Sequence, residues 1–359
     1  MPAAGDANPK VGLPGHPVAV YAAASLSPTV VLVLGGALGG VWALFGLLWM
    51  TLFLFLADRL ARRKNKVIAQ NADDIWFRRL SVLLGVLHFP LLTYAVFVLS
   101  GGTGLGFWSW IGCFLGFGLW FGQVSNAVAH ELIHRPQRGV FRLGMWIYIS
   151  LLIGHHTSAH RLVHHRFVAT PDDPNTAQAG ETFYDFALRA WPGSYLAGHE
   201  METARRADGK GGLLHPYTVY LAGAALCILM VAAAFGFLGV CSYVLLAAHA
   251  QAQLFLSDYV QHYGLERRKT GLDSYEPFGP AHSWDAPDVV SGLMMLNAPR
   301  HADHHLNPNR AYPQLELCPQ GQAPLLPFSL PVMASIALVP RLWRHVMDPR
   351  LAQQPGGGN

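Results

Sequence analysis

The sequence predicts an all-α integral membrane protein with six transmembrane helices, on the strength of its charge content and where that charge is missing. Of 359 residues, 52% are hydrophobic and only 13% are charged, against roughly 25% charged in an ordinary soluble domain. The deficit is concentrated: Val18 to Ala57, Leu80 to Ala129 and Pro216 to Ser257 contain no Asp, Glu, Lys or Arg. These runs are 40, 50 and 42 residues long. A helix needs about 20 apolar residues to cross a bilayer, so each run has room for two crossings and a turn. A soluble helical core would interrupt such runs with charged faces every few residues.

The elements follow in chain order. Residues 1–17 read as a disordered cytoplasmic tail, and the run behind them is too long for the core of a cleavable signal. The first run divides near Gly35, Gly36, Gly39 and Gly40, which places helices at roughly 18–37 and 39–57. Arg59, Arg62, Arg63, Lys64, Lys66, Arg78 and Arg79 then make a basic and hence cytoplasmic loop. The second run turns near Gly101, Gly102 and Gly104, and the third near Gly236 to Gly239. Between them lies a polar stretch, His130 to His215, with one apolar segment, Leu143 to Ile153. At 11 residues that segment is too short to cross and is expected to be re-entrant or interfacial. Past residue 258 the chain is mostly polar, apart from the Pro-rich stretch Ala323 to Pro340, expected to lie on the membrane. Six spans put both termini and every long polar segment on the cytoplasmic face. Residues 18–347 then form a single domain, followed by a disordered tail at 348–359.

The net charge of +4 lies at segment ends, which fits contact with the lipid bilayer and calls for no nucleic-acid partner. Cys113, Cys227, Cys241 and Cys318 include no CxxC pair, so neither a disulfide nor a zinc site is expected.

Eighteen histidines are present, many of them in clusters at the ends of spans. His130 and His134 stand at i and i+4, and His160 and His164 repeat that spacing, with His165 adjacent. His262 follows the last span, and His301, His304 and His305 stand at i, i+3 and i+4. Residues spaced three or four apart share one helical face, and the topology brings all four groups to one side of the membrane. A lone histidine is usually a satisfied core or surface residue. Nine clustered ones exceed the four to six ligands of a single ion and fit two metals. His130-Glu131-Leu132-Ile133-His134 also matches the HExxH pattern of zinc peptidases, but that reading leaves the other clusters unexplained. A metal transporter would carry ionisable groups near the middle of its spans. Here the long runs hold only His88 and His249.

The clusters resemble those of the membrane-bound non-haem di-iron family that includes fatty-acid desaturases and alkane hydroxylases, and most closely the alkane 1-monooxygenases. The likeness runs from about residue 120 to 347. It rests on His160-Arg161-Leu162-Val163-His164-His165 with the following Ala169-Thr170-Pro171-Asp172-Asp173-Pro174, on His262-Tyr263-Gly264, on His282-Ser283-Trp284, and on Arg300-His301-Ala302-Asp303-His304-His305. Three positions depart from the family pattern. Ala159 and Gln261 stand where glutamates are usual, and Asn297-Ala298-Pro299 replaces a Leu-Gln pair. Because xylene-type methyl hydroxylases share this branch, Gln261 bears on the substrate.

The resemblance implies two irons held by His130, His134, His160, His164, His165, His262, His301, His304 and His305, with no catalytic residue beyond the ligands. It implies O2-dependent conversion of a terminal methyl to a primary alcohol, on medium- or long-chain alkanes or alkyl chains. The alternatives are methyl hydroxylation of alkylaromatics, or fatty-acyl desaturation or decarboxylation. Glu131, Asp258, Asp303, His156 and His282 are candidates to support the ligands from behind. Trp49, Trp42 and Phe53 are candidates for a substrate channel. The chain has neither rubredoxin-type CxxC pairs nor a flavin fingerprint, so a separate rubredoxin or ferredoxin, with its reductase, must supply electrons. Arg135, Arg138, Arg205 and Arg206 are candidate docking residues. The expected location is the bacterial inner (plasma) membrane, with the site on the cytoplasmic side.

Overall fold

The computed structural model describes residues 17–61, 75–272, 274–319 and 321–354, and among them regular structure is helical, with two isolated bridges. Five helices are long and apolar enough to cross a membrane: α1 (Val18–Leu38), α2 (Gly40–Ala61), α3 (Ile75–Gly102), α4 (Phe107–Ile133) and, further along, Pro216–His262. Val30, Val41, Trp108 and Phe237 on these helices are 62%, 73%, 81% and 80% exposed. Apolar surface of that extent has lipid as its solvent, because the backbone groups beneath it are all paired within helices. The chain is an integral membrane protein.

Glycine makes the turns where the apolar runs had to fold back. Gly39 has φ 61° and Gly101 φ 100°, left-handed values that a residue with a Cβ rarely adopts. The 47-residue helix Pro216–His262 would measure about 70 Å, twice the ~30 Å hydrocarbon layer. It breaks at Gly236, with φ 64° and ψ −160°.

Between the fourth long helix and this last one come α5 (Arg138–Ser150), α6 (residues 156–167) and α7 (Phe183–Ala207); the last long helix is α8. The segment expected to be re-entrant belongs mainly to α5, which lies tight on α4: a Cβ on Gly144 would stand 2.8 Å from the Ala129 carbonyl oxygen. After α8 come α9 (Val289–Met294), α10 (His301–Leu306), α11 (Leu330–Ala337) and α12 (Pro340–Leu351). The Pro-rich stretch 323–340 holds α11. Asp58, at the end of α2, accepts the Val290 and Ser291 N–H groups at 2.8 and 3.0 Å and so caps α9. Tyr21 of α1 accepts from Asn297 Nδ2 at 2.6 Å. These buried ties fix the histidine-bearing C-terminal region against the spans.

Residue 348, expected to open a disordered tail, lies within a helix. Helix α12 continues to Leu351, which is buried, and Asp348 accepts from the Tyr263 hydroxyl at 2.8 Å. The N-terminal tail up to residue 16, the basic residues Arg62, Arg63, Lys64 and Lys66, and residues 355–359 lie outside the described residues. All four cysteines are free.

Candidate metal centre

Four segments deliver nine histidines to one place: the C-terminal end of α4, helix α6, the end of α8, and both faces of α10. They form two groups. His130, His134, His160, His165 and His304 make one; His164, His262, His301 and His305 make the other. In each, one nitrogen per residue lies within 4.8 Å of all the rest.

The division between groups follows from local backbone geometry. On an α-helix, i and i+4 share a face, while i+5 points well away. Residues His160–His164, however, form a π-turn, whose wider ring brings i and i+5 nearly into line. His160 and His165 therefore meet, Nε2 to Nε2, at 3.0 Å, and His164 is turned into the other group. Helix α10 is regular, so His301 and His305 meet at 3.1 Å, while His304 faces His165 at 3.1 Å. His262 Nε2 stands 3.1 Å from His301 Nε2.

These residues fit a pair of metal ions. Two ligand nitrogens at right angles around an ion, with bonds of about 2.1 Å, would stand about 3.0 Å apart, close to the spacing of these pairs. The buried Nε2 atoms of His130, His134 and His164 have no hydrogen-bond partner, which buried polar atoms rarely tolerate unless something else satisfies them. Burial first, and neighbouring histidines second, hold His160, His165, His301, His304 and His305 well below the usual histidine range. Neutral imidazole is the form that binds metal. For His164 burial also pulls the pKa down, but the Asp173 carboxylate outweighs it and raises the value.

Asp173 is the supporting residue that the sequence reading missed. Its Oδ2 accepts from His164 Nδ1 at 2.8 Å and from Thr176 Oγ1 at 2.8 Å, and its Oδ1 from the Asn175 N–H at 3.1 Å. A proton on Nδ1 leaves the Nε2 lone pair facing the second group. Its signal in the sequence was the Asp172-Asp173-Pro174 turn just after the His164-His165 pair.

Most of the proposed supporting residues are engaged elsewhere. Glu131 pairs with Arg135 at 3.0 Å. Asp303 takes Arg310 at 2.6 and 2.7 Å and the Glu316 N–H at 3.0 Å. Asp258 accepts from Asn175 Nδ2 at 2.6 Å. His156 stands with its ring 5.2 Å from that of His160, outside both groups. His282 does reach a grouped histidine, through its backbone: its carbonyl oxygen accepts from His262 Nδ1 at 3.3 Å. Asp285 accepts the Ala302 N–H at 2.8 Å and anchors the start of α10.

A cavity between α4, the second half of α8 and α11 opens onto His130, His160 and His301, and so onto both groups. One wall is apolar, with Leu254, Met295, Leu330 and Ala334; the other carries Gln123, Asn126, Ser257 and Gln261. The expected channel residues do not line it. Trp49 and Phe53 stack on each other at 4.1 Å, and Trp42 and Phe53 are 40% and 47% exposed, an aromatic ladder on the outward face of α2. A second, polar cleft reaches His134 and is bordered by Arg78, Arg135 and Arg161. Of the expected docking arginines, Arg135 lies there, while Arg205 pairs with Glu202 at 3.6 Å and Arg206 donates to Leu213 O at 3.1 Å.

Fold and site together define a helical membrane enzyme with a histidine metal centre. The pattern of the fatty acid desaturase family matches residues 105–336. Alkane 1-monooxygenase of Ectopseudomonas oleovorans is 30% identical over 297 residues, 82% of this chain and 73% of that protein. Alkane 1-monooxygenase 2 of Pseudomonas aeruginosa is 31% identical over 283 residues, 77% and 74% of the two chains. The xylene/toluene monooxygenase hydroxylase component XylM of Pseudomonas putida is 27% identical over 239 residues, 65% and 62%. The chain therefore belongs to the fatty acid desaturase family and, within it, to the alkane 1-monooxygenases.

Proposed function

We propose that this chain hydroxylates the terminal carbon of medium- or long-chain alkanes to primary alcohols, using dioxygen, two irons held by the nine histidines, and electrons from a separate rubredoxin or ferredoxin with its reductase. The observation that carries this reading is the cavity whose apolar wall leads to both histidine groups. When bound, the irons supply dioxygen activation and cleavage of a strong C–H bond. The chain's own residues do the rest. Leu254, Met295, Leu330 and Ala334 bind the alkyl chain, at about 0.8 kcal/mol per buried CH2. The same wall keeps water from the reacting carbon. Asp173 holds the proton on His164 Nδ1, and the His282 carbonyl orients His262.

The electron donor docks, in this reading, at the cationic cleft bordered by Arg78, Arg135 and Arg161; Arg138 does not line that cleft. In this reading the break at Gly236 turns the chain between spans five and six. The basic residues Arg59, Arg78 and Arg79 put the histidines on the cytoplasmic side of a bacterial inner membrane. Trp42, Trp49 and Phe53 then face lipid along the substrate's approach.

Methyl hydroxylation of alkylaromatics is the second reading, favoured by the likeness to XylM and by Gln261 at a usual glutamate position. Octane and xylene supplied together to the purified, reductase-coupled protein, with products resolved by gas chromatography, separate the two. Terminal octanol as the main product supports the first reading. A benzylic alcohol as the main product, or an alkene alone, overturns it.

A further inference from the structure

The cavity has an end remote from the histidines, and the two helices that meet there limit how long an alkyl chain can lie in it. Helices α4 and α8 both run toward the metal centre: α4 carries His130 in its last turn and α8 ends on His262. Their cavity-lining residues begin together, at Gly122 on α4 and Gln253 on α8, and reach His130 and Gln261 at the other end. Each stretch advances eight residues, about 12 Å along its helix. At the remote end the helices touch. A Cβ on Gly122 would collide with Cβ and Cγ of Gln253, and one on Gly118, a turn further back, with the imidazole of His249. Because neither glycine has a side chain, Gln253 and His249 press onto the backbone of α4 and fill the gap between the helices. Asn126 ties this closure together: its Nδ2 donates to Gly122 O at 3.0 Å and to Ala250 O at 2.9 Å.

We infer that Gln253, seated on Gly122, is the stop that sets alkyl chain length, with one methyl of the substrate presented to the histidines and the other end of the chain against the Gln253 side chain. An extended chain rises about 1.2 Å per bond, so the 12 Å between the stop and the metal centre suits roughly eight to ten carbons. The inference rests on the hydroxylase reading and narrows its substrates, among medium- and long-chain alkanes, to the medium ones. A longer chain must fold on itself or lift Gln253 off Gly122, and a shorter one leaves unfilled space that forfeits contacts. Gln253 meets the substrate at the end remote from the reacting carbon, so it selects among chains and takes no part in the chemical step.

Gln253→Ala removes the side chain beyond Cβ and deepens the cavity by about 3 Å, the length of two to three methylenes. The assay offers the purified, metal-loaded and reductase-coupled protein an equimolar mixture of even-numbered alkanes from hexane to hexadecane. The wild-type optimum is expected at octane or decane. In Gln253→Ala the ratio of kcat/KM for dodecane to that for octane is expected to rise about tenfold, the factor that two further buried methylenes supply. Gln253→Ser, truncated almost as far, is expected to move the ratio the same way. Gln253→Met has the same reach without the amide and is expected to keep the wild-type optimum. Melting midpoints taken without reductant, at equal alkane mole fraction in detergent, read fit without turnover. Dodecane is expected to stabilise Gln253→Ala more than octane does, and the wild-type protein less. A dodecane-to-octane ratio unchanged in folded Gln253→Ala or Gln253→Ser overturns the inference. So does an equal lengthening in Gln253→Met, which would assign the effect to the amide and not to its reach. Alkanes hydroxylated with one optimum in all variants leave the hydroxylase reading standing while this one falls. If the wild-type protein hydroxylates no alkane, that reading falls, and the melting series alone decides whether Gln253 limits chain length.

Discussion

Replacing Asp173 with asparagine tests whether the carboxylate behind His164 tunes the metal centre or merely fills space. The substitution keeps the volume but only one of the two acceptor oxygens: with that oxygen on the Asn175 N–H, an amide NH2 replaces Oδ2 in front of Thr176 and His164 Nδ1. What it removes is the charge 2.8 Å from His164 Nδ1, at a site where both side chains are almost wholly enclosed. Substitution of partners behind ligating histidines typically costs 10–100-fold in metal affinity, which is about 1.4–2.7 kcal/mol. His164 belongs to the smaller group of four, where a weakened ligand is less easily covered by the rest. The expected result for Asp173→Asn is an affinity loss within that range, confined to one of the two ions. Turnover is expected to fall in parallel, and the helical circular dichroism to stay unchanged. The assay is competition with a chelator, followed by elemental analysis at each chelator concentration. Metal retention identical to wild type, with reduced turnover, would refute the argument and leave Asp173 a structural residue of the 169–177 turn.

The remaining predictions draw on the same geometry. His164→Ala is expected to cost one of the two ions and all turnover, whereas His134→Ala and His304→Ala, from the group of five, lose turnover while retaining more metal; equal metal loss in all three would contradict the grouping. His88→Ala is expected to destabilise the protein by about 2–4 kcal/mol, read as a lowered melting midpoint. His88 is fully buried and bonded to Ser125 and Ser150 at 2.5 and 2.8 Å, so the exposed His345 is the proper neutral control. Acidification is expected to weaken the metal-free protein: His160, His165, His301, His304 and His305 have folded pKa values depressed below the unfolded value of about 6.5, so the unfolded chain takes up protons first and stability falls as pH drops through that value. A melting midpoint that stays level or rises between pH 7 and pH 5 would show that these histidines are not buried in the neutral form.

Much of the fold could be read in the sequence because it depends on local chemistry. Gly39, Gly101 and Gly236 adopt positive φ at the places where charge-free runs were too long for one crossing, and glycine is the residue that tolerates such turns. The nine histidines were equally visible, since imidazoles at helical spacing beside span ends have few bland explanations. Their partition was not. Spacing alone pairs His160 with His164, and only the π-turn, a backbone feature with no residue signature, pairs His160 with His165 instead. Carboxylates were misjudged for a related reason. Glu131 and Asp303 lie beside the histidines in sequence, but Arg135 and Arg310 take them, while Asp173 reaches His164 because an intervening turn folds it back. The aromatic residues of α2 misled because a bulky side chain on an apolar helix reads the same whether it lines a cavity or faces lipid.

The central claim is a two-metal centre built from two histidine groups, and metal content of the purified full-length protein tests it most directly. Elemental analysis after expression in iron-replete medium is expected to give about two irons per chain, falling to about one in His164→Ala. One zinc per chain with no iron would contradict the account and return the HExxH pattern of His130 to His134 to first place.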